Sequence, residues 1–108
     1  MRWLASLLFL VLTAACTGDH QSAKYSGYYT SNFEVSLFRP KGSNERWWVV
    51  GNARIPCHIP SNSYVYVEVI GILSSRGMHG HEGMYDRQLE ALKFVSCRPA
   101  RNDELREL

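Results

Sequence analysis

Two methionines and two histidines lie within seven residues of one glycine-rich segment: Met78, His79, His81 and Met84. Thioether sulfurs and imidazole nitrogens are ligands that suit Cu(I), which makes this segment a candidate copper site. The spacing matches no well-defined metal site, and a glycine-rich turn with exposed polar side chains accounts for it without a metal. We therefore predict no metal and no cofactor, and keep copper handling or metal sensing through this loop as an alternative function.

Carboxylates are the second group that could do chemistry, since an Asp or Glu pair can act as the acid and base of glycoside hydrolysis. The sequence contains neither the Gly-x-Ser-x-Gly motif nor the HExxH motif. A domain of about ninety residues is also small for a deep catalytic cleft. We expect no catalytic residues and no enzyme activity. The carboxylates considered are Glu34, Glu45, Glu68, Glu82 and Asp86.

The N-terminus combines one positive charge, a short apolar run and a cysteine. Arg2 precedes an uncharged stretch over residues 3–13, and Ala14 and Ala15 lead into Cys16. This stretch is shorter than the roughly 20 residues that span a bilayer, and its parts are those of a secretory signal. The Ala-Ala-Cys sequence resembles the lipobox of bacterial lipoproteins. The resemblance implies that residues 1–15 are a signal peptide and that Cys16 is the lipidation site, carrying palmitate. An ordinary signal peptide that leaves an unmodified cysteine is the alternative.

An acylated Cys16 predicts where the chain resides. Several acyl chains give stable membrane attachment. Thr17, in place of an aspartate, favours the outer membrane, with the protein facing the periplasm. Without Arg2, eleven basic residues face ten acidic ones, so nothing in the charge favours nucleic acid. The expected partners are the lipid membrane and an envelope protein or glycan, and the oligomeric state stays open.

Assigning Cys16 to lipid leaves Cys57 and Cys97 as a pair. The periplasm is oxidising, so a disulfide is the expected state of this pair. A metal site formed by Cys57, His58 and Cys97 is the competing interpretation, but zinc sites usually contain closely spaced ligand pairs such as CxxC, and none is present.

The rest of the chain is dominated by strand signals. A polar tether over residues 16–27 precedes a domain over 28–98 and a polar tail over 99–108. Strands are predicted at 33–38, 47–53 and 64–73, and Gly71 in the last indicates a bulge or bend. Residues 84–97 fit either a helical face or two short strands, and we favour strands. The predicted fold is all-β, a small OB-fold-like, partly open barrel of about five strands.

Two stretches of the domain look like a pattern found in small bacterial lipoproteins. The first runs from Phe33 through Phe38-Arg39-Pro40 to Trp48, and the second from Tyr66 to Arg87, including Gly80-His81-Glu82-Gly83. Over residues 28 to 98 the chain is also distantly similar to the OB-fold C-terminal domain of NlpE-type lipoproteins. The resemblance implies the fold and an envelope location, and it implies no activity.

The aromatic residues of two predicted strands provide a candidate binding face: Trp47, Trp48, Tyr64, Tyr66 and Glu68. OB-folds bind oligosaccharides and oligonucleotides across such a surface. Because strand side chains alternate, only one of the two tryptophans can point inward. The alternative is that the aromatic side chains are covered by the core, a loop or the tail. Glu45 and Arg87 form either a structural ion pair or part of a ligand site. The predicted function is a non-catalytic binding or interaction module.

Overall fold

The computed structural model describes residues 21–108, in which five strands form a closed barrel. Their order around the barrel is β1-β2-β3-β5-β4, with β3 parallel to β5 and the other pairs antiparallel. The predicted OB-fold-like barrel of five strands is confirmed. The barrel is closed, whereas the sequence predicted a partly open one. The strands are β1 (Ser22–Ser31), β2 (Ser36–Pro40), β3 (Trp47–Val50), β4 (Val65–Leu73) and β5 (Arg87–Pro99). A 3₁₀ turn (His81–Gly83) precedes β5, and helix α1 (Asn102–Leu105) follows it.

The alternation of β4 builds the centre of the core. Val65, Val67 and Val69 are fully buried, while the residues between them are partly exposed. Successive strand side chains point to opposite faces, so this pattern separates an inner from an outer surface. The other buried members of the core come from the three strands β2, β3 and β5: Phe38, Trp47, Val49, Leu89 and Ala91.

β5 is one continuous strand, where the sequence favours two short strands over residues 84–97. Its register against β4 shifts twice, which leaves Leu92 and Val95 without partners. An extra residue of this kind is a β-bulge, which bends the strand and increases its twist. Each bulge also moves the next inward position by one residue. The inward residues are therefore Leu89, Ala91, Phe94 and Cys97, while Leu92, which a helical face would bury, is exposed.

Gly71 lies beside one of these shifts, as its position within a strand predicts. A Cβ atom there would lie 2.5 Å from the carbonyl oxygen of Glu90 and 2.8 Å from a methyl carbon of Leu89. Optimal contacts between carbon atoms are about 3.5–4.0 Å, so any side chain would force β4 and β5 apart. Glycine at this position permits the close approach of the two strands.

Both ends of the predicted domain need correction. β1 begins at Ser22, so residues 22–27, predicted as tether, belong to the barrel and pair with β4. β1 lacks an alternating apolar pattern because its inward positions include Gly27 and two tyrosines, and it was therefore missed. At the other end, β5 extends to Pro99 and the tail forms α1, whose Glu104 is buried.

The predicted strand over residues 33–38 begins too early, because β2 begins at Ser36. Phe33 lies in the turn before β2 and is 95% exposed. Phe38, rather than Leu37, joins the core, where it stacks on Trp47 with ring centroids 5.3 Å apart. Leu37 is buried on the opposite face of the sheet, opposite Trp48. Because two adjacent residues of β2 are buried, one on each face, alternation alone could not identify the core side. The predicted strand 47–53 is likewise shorter, ending at Val50.

A disulfide joins Cys57 to Cys97, as predicted, with Cα atoms 5.9 Å apart. Cys57 lies in the irregular segment between β3 and β4, residues 51–64, and Cys97 lies on β5. Ile55 and Ile59 of this segment also pack against the core. The disulfide therefore holds a segment without regular secondary structure against the barrel.

Candidate functional site

The predicted binding face is divided between separate parts of the barrel. Trp47 points inward and is 6% exposed, while Trp48 points outward. Trp48 pairs with Gln88 near the start of β5, whereas Tyr66 pairs with Arg98 near its end. The structure therefore keeps Tyr66 and Glu68 on the outer face of β4, with Tyr64 just before the strand, and separates both tryptophans from them.

The outward tryptophan is covered by the loop between β4 and β5. The rings of Trp48 and Tyr85 meet edge to face at 4.9 Å, and the guanidinium of Arg46 lies 5.0 Å from the centre of the Tyr85 ring. Gly80 has a φ of 69°, and a Cβ there would lie 2.7 Å from both aromatic rings. This glycine lets the loop pack directly on Trp48.

Glu45 and Arg87 form an ion pair of 2.8 Å at the start of β5. The indole N–H of Trp47 donates to the same carboxylate oxygen at 2.8 Å, and Arg76 lies 3.6 Å from the other. The hydrogen bond from Trp47, followed by that from Arg87, holds the pKa of Glu45 below its usual value. The carboxylate thus ties β3 to β5 and to the loop that follows β4.

The Met/His loop presents its sulfur atoms to solvent, with Met78 87% exposed and Met84 61% exposed. Nε2 of His79 lies 3.1 Å from the carbonyl oxygen of Ser75, so this nitrogen is already engaged. His81 is exposed and lies 3.7 Å from Glu82. Across residues 21–108, no three side chains of His, Cys, Asp or Glu come together as metal ligands. The copper alternative stays a prediction.

Four side chains form a row across the outer face of β5, β4, β1 and β2. In this tyrosine–arginine row, Tyr66 pairs with Arg98 on one side and with Tyr28 on the other, and Tyr28 pairs with Arg39. Direct partners on neighbouring antiparallel strands share a face and contact each other. Arg98 lies 4.4 Å from the centre of the Tyr66 ring, which is 5.4 Å from that of Tyr28.

Glu104 of α1 closes one end of this row. Its carboxylate accepts two hydrogen bonds from Arg98, at 2.7 and 2.9 Å, and one from the hydroxyl of Tyr28 at 2.7 Å. The backbone N–H of Arg101 donates to it at 2.8 Å. The bonds from Arg98, the largest cause, hold the pKa of Glu104 well below its usual value. The C-terminal segment is therefore docked on the barrel by a bidentate ion pair.

We expect Glu104→Gln to loosen α1 and to lower the pKa of Tyr28. Burial, followed by the hydrogen bond to Glu104, raises the pKa of Tyr28 to about 12. Removing the carboxylate charge should bring this pKa toward 10, while burial keeps it above that value. A pH titration of the Tyr28 ring signals by NMR measures the change. Asp103→Asn, on the exposed side of α1, is the control and should leave Tyr28 unchanged.

Acidification should also loosen α1, because it protonates the carboxylate of Glu104. The pKa of Glu104 is lower in the folded protein than in the unfolded chain, so its contribution to stability is complete at neutral pH. That contribution is lost as the pH falls below about 4.3 toward the folded value. An unchanged Tyr28 titration in the Gln variant, together with full protection of the α1 amides from exchange, would contradict the docking role.

An open cleft of about 310 Å³ adjoins the other end of the row, between the β2–β3 turn and the C-terminal segment. Lys41 lies 5.9 Å from the centre of the Tyr66 ring. Nε of Arg39 is buried and has no hydrogen-bond acceptor among the described residues. In the same part of the chain, neither Arg39 nor Lys41 lies within ion-pair distance of a carboxylate. The cleft is lined by Tyr28, Arg39, Pro40, Lys41, Gly42, Ser43, Asn44, Glu107 and Leu108.

Tyr66 was predicted from the sequence as part of a binding face, whereas Tyr28, Arg39 and Arg98, its neighbours in the row, were not. The basic pair of Arg39 and Lys41 around Pro40 was a readable signal, because it marks a cationic turn between two strands. Glu104 gave no local signal, since its role depends on contacts with Tyr28 and Arg98 that only the folded chain creates. Glu68 forms an ion pair with Lys24, in which their hydrogen bond lowers the pKa of the carboxyl.

The predicted signal peptide and the lipidation site Cys16 lie outside the described residues. From residue 21 onward, no helix has the length and apolar character needed to cross a membrane. The chain matches no protein-family model, no curated protein and no solved structure.

Proposed function

We propose that this chain is a lipid-anchored, non-catalytic binding module of the bacterial envelope. Acylated Cys16 attaches it to the outer membrane, and the barrel faces the periplasm, as in the NlpE-type lipoproteins that the sequence resembles. The observation that carries the binding role is the cleft beside the tyrosine–arginine row. It places the aromatic ring of Tyr28 beside two cations, Arg39 and Lys41, that have no carboxylate partner in the described barrel.

The composition of this cleft suits a ligand better than a purely structural role. Arg87 pairs with Glu45 and Arg98 pairs with Glu104, whereas Arg39 and Lys41 join no ion pair among the described residues. Ligand sites are concave and carry a few polar groups beside apolar surface, with volumes of roughly 300–1,000 Å³. The cleft lies at the lower end of that range. A small group, such as one sugar or one side chain of a partner, fits this volume.

Membrane attachment is the first part of the proposal to test. We expect Cys16→Ser to move the protein from the membrane fraction to the soluble fraction, because acyl chains supply the attachment. Fractionation and intact-mass measurement of the N-terminal peptide check this result. Cys57→Ser combined with Cys97→Ser is the matched control and should leave the protein in membranes. Membrane retention of Cys16→Ser, or an unmodified Cys16 in the parent protein, would refute the anchor.

Binding is tested by photo-crosslinking of the full chain in intact envelopes. A photoreactive amino acid at Asn44 places the probe in the cleft, and the same probe at Met84 places it on the Met/His loop. We expect a reproducible adduct from position 44 that is lost when Lys41→Ala is added, because Lys41 lines the cleft. Adducts from position 84 alone would move the site to the loop and favour the metal or interaction alternatives there.

A further inference from the structure

We infer that the cleft binds its ligand through an oxyanion, a carboxylate or phosphate group held by the guanidinium of Arg39. This inference rests on the proposed binding function and specifies its ligand. It assigns the residue that recognises the charge, and it predicts that neutral analogues of the ligand bind far more weakly.

One nitrogen of the Arg39 guanidinium, Nε, has an N–H group that the described barrel leaves unsatisfied. This N–H is buried and no described residue offers it an acceptor. Buried donors are paired in the great majority of cases, because an unmet hydrogen bond away from water is unfavourable. Arg39 also lines the cleft. Because Nε is closed to solvent, a ligand oxygen in the cleft would supply the missing acceptor only after the Arg39 side chain turns toward it.

The cationic side chains around the cleft differ in whether they are neutralised by a carboxylate. Arg98, at the far end of the tyrosine–arginine row, is neutralised by Glu104, so its charge serves the docking of α1. Lys41 instead extends over Tyr66 from the rim of the cleft and adds a second cation near Arg39. Glu107 is the one acidic residue in the lining, and it forms no ion pair with either cation. The lining thus carries two cations that join no ion pair among the described residues, together with the one carboxylate of Glu107.

The shape of the Arg39 guanidinium also suits an oxyanion. A guanidinium presents parallel N–H groups that match the two oxygens of a carboxylate or phosphate, whereas an ammonium acts as a point charge. Ser43 and Asn44 line the same cleft and can hydrogen-bond a hydroxylated body attached to the anion. An acidic sugar and a glycerol phosphate headgroup both meet this description. They share the oxyanion and differ in the body that carries it.

The test uses the Nε–Hε signal of Arg39 in ¹⁵N-labelled full chain purified in detergent. Inorganic phosphate, galacturonate and glycerol phosphate are titrated to concentrations on the order of 10 mM, with galactose as the neutral control. We expect a saturable shift of this signal with the anions and none with galactose. Tighter binding of galacturonate indicates a glycan source, and tighter binding of glycerol phosphate indicates a lipid headgroup.

Variants separate recognition from folding. Arg39→Lys keeps the charge but lacks Nε and should weaken anion binding about tenfold or more, and Arg39→Gln should weaken it further. Arg54→Gln, in an exposed loop position outside the cleft lining, should bind as the parent does. The signal shift in the parent chain needs no variant, so a poorly folded substitution does not decide the result.

Two outcomes overturn the inference. One is an Arg39 signal that does not move with any of the anions, and the other is undiminished anion binding by Arg39→Gln. If the Asn44 crosslink survives in Arg39→Gln while anions have no effect, the binding function stands and only the oxyanion assignment fails. If neither a crosslink nor anion binding is found, the proposed function fails with it.

Discussion

Removal of the Cys57–Cys97 disulfide should destabilise the barrel by about 4 kcal/mol. The two cysteines are separated by 40 residues, and closing a loop of this length removes that amount of chain entropy from the unfolded state in the loop-closure model. A small domain has a total stability of about 5–15 kcal/mol, so the loss is a large share of it. Urea unfolding of the Cys57→Ala, Cys97→Ala double variant measures the effect.

The disulfide also holds residues 51–64 against the core, which adds a second signature. Amides of this segment should exchange rapidly in the double variant while those of β4 remain protected. Treatment of the parent with a reducing agent is the control and should reproduce both effects. A loss below about 1 kcal/mol, with an unchanged exchange pattern, would show that the core holds this segment without the covalent bond.

Phe38→Ala should destabilise the barrel by about 3–5 kcal/mol, because it removes a fully buried ring from the core and leaves a cavity. The ring stacks on Trp47, so the variant should also change the fluorescence of that tryptophan. Chemical unfolding followed by fluorescence measures both quantities.

Phe33→Ala is the matched control, since the same substitution five residues earlier removes a ring that is 95% exposed. Surface substitutions of this kind usually change stability by no more than about 0.5 kcal/mol. Equal effects of the two variants would contradict the position of Phe38 in the core and the inward face assigned to β2.

The sequence predicted the barrel because β4 carries an apolar alternation strong enough to identify an inner face. It failed at β1, whose inward positions include a glycine and two tyrosines, and at β2, where Leu37 and Phe38 are both buried. For β5 the sequence predicted strand structure but two short strands instead of one, because two bulges interrupt the alternation of its inward residues. In each case the missing information was how the strand pairs with its neighbours, which local patterns do not contain.

The candidate site shows the same limit. Trp47 and Trp48 looked suited to binding, but one packs in the core and the other lies under the loop that contains Gly80. Motif residues such as Glu45, Tyr85 and Arg87 contact these tryptophans or each other and serve the fold. The cleft instead arises from a turn, a strand face and the C-terminal segment, which are far apart in the sequence.

The binding role is tested by an NMR perturbation map of the full ¹⁵N-labelled chain, recorded with and without galacturonate and with and without glycerol phosphate. We expect shifts to concentrate at the cleft, on Tyr28, Arg39, Lys41 and Asn44, and Arg39→Gln to reduce them. Shifts confined to residues 78–84, or to the surface around Trp48, would contradict it.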